Sequence, residues 1–120
     1  MHIGQISELT FKYKHLLKTQ WLKGNLPSVT RGLYGDTLTR ANVSLEHLRP
    51  HSKGGHTVLA NLALASKARN NARGCQPLRK FLTQSQADEY LSQFRGINIE
   101  GFNGDSYIRR VGETIKGLLK

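Results

Sequence analysis

The segment Ser44 to Gly74, SLEHLRPHSKGGHTVLANLALASKARNNARG, narrows the folds open to this chain more than any other stretch of it. Val43 to Leu48 is short and alternates in apolar character, which suits a strand. Pro50 ends it, because proline has no N–H to offer a ladder. Gly54-Gly55 then permits a reversal. A second short strand is expected around Thr57 to Leu59, closing a hairpin over a long connection. Beyond it, NLALASKARNNA holds helix formers throughout and stops at Gly74, a natural residue just past a helix end. The unit reads β, β, α.

The same segment carries residues suited to one reaction. Cutting a phosphodiester in line requires an activated water, a positive centre beside the phosphate and a stabilised leaving oxyanion. His47 titrates near neutral pH, so a neutral imidazole at the strand end can take a proton from water. Glu46 is its neighbour. Adjacent strand residues point to opposite faces, so the pair can divide its work between substrate and metal only where the strand ends or bends. Pro50 and Gly54-Gly55 supply that distortion. Asn61 follows His47 by fourteen residues, and Asn70 follows Asn61 by nine. Asn70 falls within the helical segment, on a face that can return toward the hairpin. A carboxylate with an amide carbonyl is a hard oxygen set suited to Mg²⁺ or Mn²⁺, whereas zinc would want more nitrogen or sulfur. Asn61 is expected at the helix start, where its side chain can bond turn backbone and hold the loop.

Taken together, Glu46-His47, Pro50, Gly54-Gly55, Asn61-Leu62, Asn70 and Arg73-Gly74 resemble the signature of the HNH endonuclease family. The resemblance spans Ser44 to Gly74 and implies a ββα-metal fold with one divalent ion. It makes His47 the general base, Glu46 and Asn70 the metal ligands, and Asn61 the brace of the loop and the base. Arg73 matches a basic residue that contacts phosphate, and Asn71 leaves the last ligand open by one residue. Two departures stand out. Many members bind structural zinc through two CxxC pairs, yet Ser66 and Arg69 stand where the second pair would fall, and Cys75 is the single cysteine. That excludes a cysteine-based zinc framework and an internal disulfide. The acid is Glu rather than the more frequent Asp, one methylene longer. Without structural zinc, the flanking helices must hold the site by packing.

Those flanks are legible in outline. Ile6 to Trp21 places apolar residues at three- and four-residue steps among Lys12, Lys14 and Lys18, an amphipathic helix punctuated by Gly24 and Pro27. Leu26 to Asn42 should hold little regular structure. After Pro77, LRKFL and Asp88 to Phe94 suggest one or two helices. Asp105 or Ser106 should cap a last helix burying Ile108, Val111, Ile115 and Leu118. The expected architecture is a single α+β domain over residues 1–120, mainly helical. Its ββα-metal core at 43–74 is preceded by an N-terminal helix and irregular segment (1–42) and followed by C-terminal helices (75–120).

The chain carries 18 Lys and Arg against 8 Asp and Glu, a net charge of +10. The whole excess precedes residue 81, with 13 basic against 3 acidic residues before it and 5 against 5 after. Such a field attracts polyanions. Within the motif, Lys53, His56, Lys67, Arg69 and Arg73 are the expected phosphate contacts, followed by Arg79 and Lys80; such contacts carry no base information. No apolar run is long enough to span a membrane. Glu8, Lys12 and Lys14 interrupt any secretory leader pattern, so a cytoplasmic protein is expected. Through the resemblance, the expected activity is Mg²⁺-dependent hydrolysis of DNA, one strand per site, in a bacterial or phage-infected cell. Small chains of this family often belong to phages or mobile elements. Double-strand cutting would need a homodimer or two successive events by a monomer. The rival readings are a non-catalytic nucleic-acid-binding module of the same shape and an accessory nuclease that depends on a protein partner.

Overall fold

The structure, a computed structural model, describes residues 16–120. Of the helix expected from Ile6, it shows α1 (Leu16–Leu22); the rest of that expectation, with His2 and His15, lies outside the described residues. Then follow β1 (Val43–His47), β2 (Leu62–Ser66), α2 (Lys67–Arg73), α3 (Gln84–Ser92), β3 (Asn98–Ile99), β4 (Phe102–Asn103) and α4 (Gly104–Leu118). The strands pair antiparallel as two separate sheets, with Val43 opposite Ser66 and His47 opposite Leu62 in the first. The class is α+β, with four helices among the described residues, none of them long and apolar enough to cross a membrane.

The order β, β, α stands, but its second half is displaced from the expectation. LALAS, assigned to a helix on the strength of Leu and Ala, is β2, and every one of its residues is buried. A strand covered on both faces reads as a continuous apolar run, so periodicity cannot separate it from a buried helix. Thr57 to Leu59 is no strand; the chain there leads into a short 3-10 turn at Leu59–Asn61. The helix begins only at Lys67, where the Ser66 hydroxyl accepts from Arg69 N, and it stops at Gly74 as expected.

A lone pair of strands is marginal in water, and its outer edges expose unpaired backbone. Here both edges receive hydrogen bonds from neighbouring elements. Alternate residues of an antiparallel strand face opposite edges. Leu48 N donates across the pair to Asn61 O, so Leu45 and His47 turn their carbonyls outward. Asn70 Nδ2 donates to Leu45 O at 2.9 Å and Arg73 Nη1 to His47 O at 2.9 Å. These two residues, three apart, share one face of α2. On the outer edge of β2, Tyr107 Oη donates to Leu62 O at 2.8 Å, while Leu64 N donates to Tyr90 Oη at 2.9 Å. Leu33 N takes the remaining carbonyl, Leu64 O, at 2.8 Å.

The two tyrosines come from the C-terminal helices, which therefore brace the outer edge of β2. α3 starts four residues earlier than the Asp88 expected, because Thr83 and Gln86 form a reciprocal capping box. α4 is capped by Asn103, whose side chain accepts from Ser106 N at 2.8 Å, rather than by Asp105 or Ser106. Tyr90, Phe94, Phe102 and Tyr107 pack as one aromatic cluster, with Phe94 and Tyr107 centroids 4.6 Å apart. Val111 and Ile115 are buried, with Ile108 and Leu118 half-buried against the core. Leu26 to Asn42 is irregular as expected, holding one isolated bridge between Arg31 and Thr37. It nevertheless buries Leu26, Val29, Leu33 and Leu38.

Candidate functional site

The loop joining β1 to β2 is clamped by one side chain. Asn61 Oδ1 accepts from Arg49 N at 2.8 Å, and its Nδ2 donates to Arg49 O at 3.0 Å and His56 O at 2.9 Å. An amide is the neutral group that can accept and donate at once in this way. Asn61 ends a 3-10 turn before β2 and does not begin a helix, yet it holds the loop as the spacing suggested. The glycine pair divides its work: Gly54 has φ 87°, in the left-handed region open to glycine. A Cβ on Gly55 would collide with the Arg49 carbonyl oxygen.

His47, half-buried at the end of β1, places Nε2 3.0 Å from Thr57 Oγ1. Burial, and secondarily the nearby His51, lowers its pKa below the ordinary 6.5 and so favours the uncharged ring. His51 itself is exposed.

Glu46 points into the interior, at 3% exposure. Its Oε2 accepts from Tyr34 Oη at 2.6 Å and lies 3.3 Å from Arg73 Nη1. Burial pushes the carboxyl up; the Tyr34 hydrogen bond and the Arg73 charge oppose that. Arg73 is 1% exposed. Besides His47 O, its guanidinium donates to Leu48 O at 2.7 Å and Gln76 O at 2.9 Å. Arg73 is therefore no phosphate contact: all three nitrogens are spent inside the fold, and Glu46 is the counter-charge that a buried guanidinium requires. Glu46, which the resemblance makes a metal ligand, has its carboxylate held inside the fold by Tyr34 and then by this arginine.

Asn70 is half-buried, and its Nδ2 donates to Ser44 Oγ at 3.2 Å as well as to Leu45 O. A carbonyl only accepts, so the amide orientation is set, and Oδ1 receives no donor among the described residues. Asn71 is exposed; of the two, Asn70 is the one turned onto β1. Ser44 and Glu46 share a strand face, and Asn70 reaches that face at Ser44. Among the described residues no three His, Cys, Asp or Glu side chains form a metal cluster.

Lys53, His56 and Lys67 are exposed, as are Arg79 and Lys80. Arg69 is exposed too, but its Nε is bonded to Asp36 at 3.2 Å. Arg49, Lys53 and Arg79 border a cleft of about 160 Å³ that no carboxylate lines. Cys75 is exposed, with Sγ 3.1 Å from Ser52 Oγ.

Sequence reasoning missed Thr57, Tyr34 and Ser44. No local pattern marks them, because each meets its partner through the hairpin register or across an irregular segment. Comparisons with protein-family models, curated proteins and solved structures find no match to the chain.

Proposed function

We propose that this chain is an Mg²⁺- or Mn²⁺-dependent endonuclease of the HNH kind that hydrolyses DNA, one strand per site. The observation that carries the reading is His47 at the end of β1, on a loop clamped by Asn61, with, on the helix packed along the same strand, an Asn70 carbonyl oxygen that meets no donor among the described residues. His47 takes the proton from the attacking water. Asn70 Oδ1 is a hard oxygen ligand that meets no donor among the described residues, and the Glu46 carboxylate, held at Oε2 by Tyr34 and Arg73, is the second candidate ligand. These two residues fit a hard divalent cation in donor type. Bound there, the cation supplies a Lewis acid at the scissile phosphate. Lys53, Lys67 and the Arg79 side of the basic cleft hold neighbouring phosphates. The resemblance supplies the product ends, 5′-phosphate and 3′-hydroxyl.

One observation favours a second reading. The buried Glu46–Arg73 pair already neutralises the acid, which suits a nucleic-acid-binding module that keeps the ββα shape without turnover. Supercoiled plasmid separates the two. Incubated with Mg²⁺ or Mn²⁺, the protein should produce relaxed circles, none with EDTA, and none with His47→Ala or Asn70→Ala. Tight DNA binding without cutting under any divalent ion would establish the second reading. Normal cutting by His47→Ala would remove His47 as the base.

A further inference from the structure

We propose that Thr57 is the positioning residue of the catalytic histidine: its hydroxyl holds His47 Nε2 and leaves Nδ1 as the nitrogen that meets water. This rests on the nuclease reading and adds to it a residue and a tautomer. The 3.0 Å separation of Nε2 and Oγ1 is hydrogen-bond distance. Thr57 supplies the polar contact to the ring that the described residues show.

Both ends of that contact are anchored by the same amide. Asn61 Nδ2 holds the carbonyl of His56, the residue before Thr57. Its other bonds hold Arg49, two residues past His47. Asn61 thereby acts on the base through Thr57, with no side-chain contact of its own to the ring. A neutral imidazole carries one ring proton. Either ring tautomer can make this contact; in the one we assign, Nε2–H donates to Oγ1 and the lone pair lies on Nδ1. Nδ1 then takes a proton from water as the hydroxide oxygen bonds phosphorus. The bond from phosphorus to the 3′-oxygen breaks, the departing oxygen is protonated from solvent, and the imidazolium returns its proton to solvent.

Thr57→Val removes the hydroxyl at nearly constant shape, and Thr57→Ser retains it. Three quantities are read: the ring tautomer of His47 by long-range ¹H–¹⁵N NMR, the plasmid nicking rate, and DNA affinity in Ca²⁺. The wild type should show the Nε2–H form, and Thr57→Val a mixed spectrum. Nicking by Thr57→Val should fall by about tenfold or more, part of what a general base contributes, with affinity unchanged. Thr57→Ser should recover both spectrum and rate. An Nδ1–H tautomer in the wild type, wild-type nicking by Thr57→Val, or a Ser variant no better than a folded Val variant would each overturn the proposal. If the wild type does not nick at all, the nuclease reading fails, and the tautomer spectra still decide the Thr57 contact.

Discussion

Arg73 carries the plainest lesson at the residue scale. A basic side chain within a basic segment is assigned to phosphate by charge alone, yet this one closes the outer edge of β1 and is neutralised by Glu46. Removing one partner of a buried pair leaves an uncompensated charge and orphaned carbonyls. Arg73→Ala should therefore lower the unfolding free energy by about 3–5 kcal/mol, measured by urea titration. A loss below about 1 kcal/mol, within the range of surface pairs, would return Arg73 to the DNA-facing surface. Asn61 was more legible, because an amide at a fixed distance from the histidine has a limited set of uses in a loop. Its task survived although the helix it was expected to begin is a strand.

At the scale of elements, the hairpin was legible from β1 and the glycine turn but not from β2. Its apolar stretch LALAS is ambiguous until its partner is known, and burial then decides it. The element also depends on groups far away in sequence. Tyr90 Oη accepts from Leu64 N and shares a hydrogen bond of 2.8 Å with Tyr107 Oη. Tyr90→Phe leaves a buried backbone donor unpaired, which costs about 1–3 kcal/mol. The variant should unfold at lower denaturant and lose hydrogen-exchange protection at the Leu64 amide. Unchanged protection there would show that the hydroxyl does not close the edge.

For the whole molecule, the basic excess before residue 81 is a field, and fields act through counterion release. DNA affinity should fall steeply with salt, and Lys53→Ala and Lys67→Ala should each lower the slope of log Kd against log salt by about one. Arg69→Ala should change it less, since Asp36 already holds its Nε. Slopes unaffected by either lysine would place DNA on another face. By itself the sequence determined what local chemistry determines: the α+β class, β1, the glycine reversal, the helix stop at Gly74, the charge, and the spacing of His47, Asn61 and Asn70. Only the tertiary structure decided that LALAS is a strand, that Arg73 faces Glu46 rather than solvent, and that Thr57 meets His47. Each of these turns on burial or on a contact between segments distant in the chain, and neither is encoded in the spacing of neighbours.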